Sequence, residues 1–132
     1  MTTLSEPQTA AALDAVRGQA EAYCAALHRS DTARLAEIFH ENAHLYAPAE
    51  DGTLIDWPLP QFLERVGSRP PGEGAPDYAI LSATLSGAEM AFVHLEVSVP
   101  PRRFADVLVF LKLGDAWRIN AKTFRVAEGP AV

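Results

Sequence analysis

RFADVLVFLKLGDAWRINAKTFRV, residues Arg103 to Val126, decides the fold. It reads as two long strands folded back on a tight turn at Gly114-Asp115. The first arm, Phe104 to Leu113, is rich in Val, Leu and Phe; the second alternates Trp117, Ile119, Ala121 and Thr123 with Arg118, Asn120, Lys122 and Phe124. Period-two alternation around a Gly-containing break is the signature of a hairpin. One residue is out of place: Asp106 lies inside an apolar arm, and a carboxylate there must be paired, protonated or functional. Its neighbours depend on register. A two-residue loop sets Asp106 opposite Thr123, whereas one further residue slides it onto Phe124, beside Lys122.

Upstream of this hairpin lie two more strand patterns. Asp77 to Ser86 alternates Ala79, Leu81, Ala83 and Leu85 against Tyr78, Ile80, Ser82 and Thr84. Met90 to Val99 sets Val93, Leu95 and Val97 against Phe92, His94 and Glu96, and Pro100-Pro101 makes the corner into the hairpin. Before them, SRPPGEGAP (68–76) is a loop, and Leu59, Phe62, Leu63 and Val66 repeat at helical spacing behind Pro58 and Pro60. His40 to Trp57 contains two short strands around Asp51-Gly52. From Gln8 to His28, Leu13, Val16, Ala20, Tyr23, Cys24 and Leu27 form one helical face; Ser30-Asp31-Thr32 breaks it, and a second helix carries Leu35, Ile38 and Phe39. Residues 1–7 are polar and expected to be loose. Helices first and strands afterwards predict an α+β domain, with helices on one face of a curved, mostly antiparallel sheet.

Composition bounds the function. The chain has 132 residues, enough for one domain (1–132, core about 8–126), with 48% hydrophobic and 21% charged residues. A net charge of −6 repels phosphate backbones and anionic bilayers, so neither nucleic acid nor membrane is an expected partner. Cys24 is the only cysteine, which excludes an internal disulfide and a cysteine-based zinc framework. The N-terminal stretch has neither a basic start nor a long apolar run, and a soluble cytoplasmic protein is expected. No Gly-rich phosphate loop, nucleophile elbow or Cys-His pairing is present, and no cofactor is expected.

A family resemblance rests on several pieces in order: Tyr23-Cys24-Ala25-Ala26-Leu27, the Ser30-Asp31 break, Ile38-Phe39-His40 and Gly52-Thr53-Leu54. It continues through Trp57-Pro58-Leu59-Pro60-Gln61-Phe62-Leu63, Asp77-Tyr78-Ala79-Ile80-Leu81, Phe104-Ala105-Asp106 and Trp117 to Phe124. Over about residues 13 to 126 the chain resembles the nuclear transport factor two-like superfamily, which has a cystatin-like fold, and within it the lumazine-binding family near the SnoaL-like proteins. The resemblance implies a cone: a bent sheet wrapped around helices, open at one end onto an apolar pocket, in domains that commonly dimerise through the outer sheet face. It favours the register that pairs Asp106 with Phe124.

The chain is also similar to the steroid isomerases of that superfamily, which hold an oxyanion between a helix tyrosine and a protonated aspartic acid. Tyr23 and Asp106 fall at those positions, but Ala47 stands where the general base belongs. The competing reading makes Tyr23 a core residue and pairs Asp106 with Arg103 or Lys122. If Lys122 stays away, desolvation favours a neutral Asp106; a close Lys122 keeps it charged. His40-Glu41-Asn42-Ala43-His44 matches the letters of a zinc-hydrolase motif, but Pro48, a strand context and the lack of an evident third ligand argue against it, and no metal is expected. Tyr46 and Trp57 are candidates for the pocket or its rim, with Trp57 anchoring the third helix. His94 and Glu96 suit solvent or an interface, His28 suits a helix C-terminus, and Arg102-Arg103 reads as a solvated corner.

The expected function is binding of an uncharged or mildly polar small organic molecule by Tyr23, Tyr46, Trp57, Asp106, Lys122 and Phe124, in a homodimer. Val93, Leu95 and Val97, with Val107 and Val109, are the apolar residues expected at the dimer contact. Two alternatives differ in class. One is a metal-independent isomerase, cyclase or dehydratase with His44 or Asp56 as trial base; the other is an association module with a filled interior.

Overall fold

A computed structural model describes residues 3–132. The elements run α1 (Glu6–His28), α2 (Thr32–Ile38), β1 (Phe39–Pro48), β2 (Leu54–Pro58), α3 (Leu59–Gly67), β3 (Tyr78–Ser86), β4 (Met90–Val99), β5 (Arg102–Leu113) and β6 (Ala116–Glu128). Met1 and Thr2, part of the stretch expected to be loose, lie outside the described residues. The rest of that stretch is more ordered than expected. Ser5 caps α1 by accepting from the Gln8 N–H, while the Gln8 side chain accepts from the Ser5 N–H. This reciprocal box satisfies two donors that a helix start leaves orphaned.

All six strands form one curved sheet in the order β2-β1-β6-β5-β4-β3, with β1 and β6 parallel and every other pair antiparallel. The buried face of α1, Val16, Ala20, Tyr23, Cys24 and Leu27, packs with Leu95, Leu108, Phe110 and Ile119 of the sheet in one core. No helix among the described residues is long and apolar enough to cross a membrane. The loop after α3 is pinned to the end of α1: His28 Nε2 lies 3.0 Å from the Glu73 carbonyl oxygen and 3.1 Å from that of Gly74. A Cβ on Gly72 would stand 2.5 Å from the His28 ring, so this approach requires glycine.

Bulges overturn two of the alternations read along the strands. In β3, Ile80 pairs with Leu95 and Ser82 with His94, which leaves Leu81 as the extra residue. The phase reverses there: Tyr78 and Ile80, then Ala83 and Leu85, pack against the core, and Leu81 is exposed. In the opening hairpin the loop has only the two residues Gly114-Asp115, with Leu113 opposite Ala116. Gly114 takes φ 64°, the left-handed backbone needed at the first central position of such a loop. Phe110 pairs with Ile119 but Val109 with Ala121, so Asn120 is the inserted residue. Beyond it Asp106 pairs with Phe124. The register is the one the resemblance favours, but a bulge in β6, not a longer loop, produces it.

The expected dimer face also needs correction. Val93, Leu95 and Val97 are fully buried against the helices, so they belong to the core of the single chain. The residues that point outward from β4 and β5 are Phe92 and His94 with Val107 and Val109.

Candidate functional site

The phase change at Asn120 brings Lys122 and Phe124 to the inner side of the sheet, where Phe124 meets Trp57 of β2. Trp57 pairs with Leu45, which is buried in the core, and Lys122 pairs with Leu108. Asp106 is 0% and Lys122 4% exposed. The Lys122 ammonium donates to Tyr23 Oη at 2.6 Å, and the Tyr23 hydroxyl donates to Asp106 Oδ2 at 2.6 Å. Lys122 Nζ stands 3.6 Å from the same carboxylate oxygen, and Asp106 Oδ1 has no partner. This is the competing reading of the sequence: Asp106 pairs with Lys122, and Tyr23 is a core residue that spends its hydroxyl on Asp106. Arg103 is elsewhere, bound to Glu96 and Ser98.

Burial and charge set the chemistry of this cluster. Desolvation raises the Tyr23 pKa well above 10.0, and the adjacent Asp106 carboxylate adds to it, so the phenol stays protonated. Burial lowers the Lys122 pKa from 10.5, and Asp106 opposes that shift. Cys24, on the same helix, is pushed up to about 12 by burial and then by Asp106. The Lys122 ammonium also lies 4.8 Å from the Phe62 ring centroid, 4.9 Å from that of Phe124 and 5.1 Å from that of Tyr23. Each is within cation–π range.

Above Lys122 opens a cavity of about 530 Å³. Its aromatic walls are Trp57, Phe62, Phe104 and Phe124, and Leu27, Val66 and Val99 add apolar surface. Phe124 meets Trp57 at 5.5 Å and Phe104 at 5.8 Å between centroids. The mouth carries Arg65, Ser68, Arg69 and Arg102. The Arg65 guanidinium sits 4.1 Å from the Trp57 centroid, so Trp57 is clasped between α3 and β6 while half-buried.

Of the predicted ligand residues, Trp57, Lys122 and Phe124 line this cavity; Tyr23 and Asp106 sit behind Lys122 and do not. Tyr46 is on the other face of β1, stacked on His44 at 6.0 Å, because its neighbours Leu45 and Ala47 take the inner side. The trial bases His44 and Asp56 are paired with each other at 2.6 Å on that same face, outside the cavity. Ala47 lines a separate cleft of about 300 Å³ with Ile55 and Phe124. The zinc-like motif lies in β1, where His40 Nδ1 accepts from the Asn42 N–H, so the helical turn that the motif requires is lacking.

The sequence reading missed Phe62, Phe104 and the three arginines as cavity residues. A signal existed for part of this set. Phe62 and Val66 lie on one side of α3, and Arg69 continues their spacing two residues past the helix end. Arg102, read as a solvated corner, is half-buried at the mouth and donates to the Pro130 and Ala131 carbonyls.

Comparison with known proteins supplies the lineage. No significant match was found among curated proteins. Among solved structures, an NTF2-like protein of unknown function from Silicibacter pomeroyi DSS-3 superposes with a TM-score of 0.82 at 29% identity, covering 89% of this chain and 98% of that one. An NTF2-like protein of unknown function from Shewanella baltica OS155 gives 0.83 at 16% identity, over 96% and 100%. A ketosteroid isomerase-like protein from Erwinia carotovora atroseptica gives 0.70 at 16% identity, over 89% and 97%. The family model described as "Putative lumazine-binding" matches residues 11–125. That span includes every helix except the first turns of α1 and nearly all of the sheet, and the chain belongs to this family, within the NTF2-like superfamily.

Proposed function

We propose that the protein binds a small organic molecule with a flat apolar body in the cavity above Lys122. The observation that carries this reading is an open space of about 530 Å³ with four aromatic walls and a buried ammonium at its base. Ligand sites combine this kind of apolar lining with a few fixed polar groups. The family description points the same way, since lumazine is a flat bicyclic heteroaromatic. Lys122 holds its position through Tyr23 and Asp106, and its remaining N–H groups are the natural donors to a ligand carbonyl.

Binding is favoured over isomerase chemistry because no aspartate, glutamate or histidine side chain among the described residues lines the cavity. Proton abstraction beside a carbonyl requires such a base within hydrogen-bond reach. An association module with a filled interior is disfavoured by the open volume. We further propose a homodimer through the outer face of β4 and β5, where Phe92 pairs with Val109 and His94 with Val107.

Native mass spectrometry of the purified protein tests the binding reading. A small molecule retained by the wild-type protein and lost from a folded Phe62→Trp variant supports it. No retained molecule, together with no binding of any flat aromatic probe, refutes it.

A further inference from the structure

The mouth of the cavity is unusual for this chain. The protein carries a net charge of −6, yet no aspartate or glutamate lines the cavity, whereas Arg65, Arg69, Arg102 and Lys122 all do. Lys122 is neutralised by Asp106 and Arg102 donates to two backbone carbonyls. Arg65 and Arg69 have no carboxylate partner among the described residues; Arg65 rests on Trp57, and Arg69 is half-buried. Like charges gathered at a partly desolvated rim repel one another, and an anion placed among them relieves the repulsion.

We infer that the cavity selects an organic anion: a flat apolar body against Trp57, Phe62, Phe104 and Phe124, with its carboxylate, sulfonate or phosphate held at the mouth by Arg65 and Arg69. This rests on the binding reading above and replaces the uncharged ligand that the sequence suggested. Burial lowers the Arg69 pKa, Tyr23 opposes the shift, and the nearby Arg102 and Arg65 charges add to it. The Ser68 hydroxyl donates to the Arg65 carbonyl at 2.7 Å, so the specific anion contacts fall to the guanidinium forks. Two features oppose the anion: α3 ends at Gly67, where a helix C-terminus carries about half a negative charge, and Val132, the last described residue, lines the same cavity and carries a main-chain carboxylate. That carboxylate makes no ion pair with Arg65 or Arg69, and the guanidinium charges of Arg65, Arg69 and Arg102 together outweigh both features.

The test compares two fluorescent probes with nearly the same body, 8-anilinonaphthalene-1-sulfonate and uncharged N-phenyl-1-naphthylamine. Titrations use the wild type, the Arg65→Gln/Arg69→Gln double variant and Phe62→Trp, each checked for folding by circular dichroism. The sulfonate should bind the wild type about tenfold more tightly than the neutral probe, a difference of about 1.4 kcal/mol. The double variant should remove that advantage by weakening the sulfonate about tenfold more than the neutral probe, and Phe62→Trp should weaken both probes. Equal binding of the two probes by the wild type overturns anion selection and leaves the cavity reading standing. Binding of neither probe overturns both. An advantage that survives the double variant, or sulfonate binding that is insensitive to Phe62→Trp, places the anion elsewhere and also overturns the inference.

Discussion

Replacing Lys122 with methionine keeps the aliphatic stem and removes the ammonium that faces Asp106 across 3.6 Å. At an effective dielectric constant of about 20, that attraction amounts to roughly 4–5 kcal/mol. The variant also gains, because it no longer has to desolvate an ammonium. The net penalty comes from the 0% exposed Asp106, left charged with only the Tyr23 hydroxyl as a partner. Breaking a buried pair in this way typically destabilises by about 3–5 kcal/mol, and that is the loss expected near neutral pH. The pH dependence has a definite sign. In the wild type, Lys122 has a folded pKa below 10.5, so the unfolded state binds more protons in the window just below 10.5 and stability rises there, a contribution that the variant lacks. Urea unfolding at about pH 7 measures the loss, and Lys122→Met/Asp106→Asn should recover most of it. A penalty below about 1 kcal/mol would refute a charge-paired Asp106.

Three further outcomes are expected. Cys24, with its thiol at about 12, should resist a thiol reagent in the native protein; above pH 9 the unfolded state gives up the Cys24 proton that the folded state keeps, so stability relative to a Cys24→Ala variant falls by up to about 1.4 kcal/mol per pH unit, and a difference between the two that is constant from pH 8 to 11 would contradict this. Deleting Asn120 removes the inserted residue and should leave Lys122 opposite Leu108 and Phe124 opposite Asp106 on the inner face at a cost of less than about 3 kcal/mol, whereas a loss of more than about 4 kcal/mol in denaturant titration would mean that Asn120 is not the inserted residue. Sedimentation velocity at tens of micromolar should give a dimer that Val107→Lys dissociates, because Phe92 and Val107 stand 41% and 38% exposed; a wild-type monomer rules the dimer out.

Much of the architecture is legible in the residues because it depends on short-range pattern. The apolar face of α1 repeats at three and four, Gly114-Asp115 allows only a tight loop, and Asp106 stands out as a carboxylate in an apolar arm. Tyr23, Asp106 and Lys122 could be selected together because the family motifs order them along the chain. The bulges at Leu81 and Asn120 could not be read in advance. A period-two alternation has no mark for where its phase breaks, since an inserted residue is chosen by the partner strand and by what the new inner face can pack against. That choice turned Lys122 and Phe124 inward, and it rules out reading Trp117 and Thr123 as one face. The orientation of β1 likewise separated Tyr46, His44 and Asp56 from the cavity. The cationic mouth lay furthest from view. Arg65 and Arg69 leave the end of α3, and Arg102 follows a proline corner more than thirty residues later. Sequence by itself determined the helices, the hairpin and an anomalous buried acid, all products of local periodicity; only the tertiary structure could decide which charges share a cavity, because that depends on contacts between segments remote in the chain.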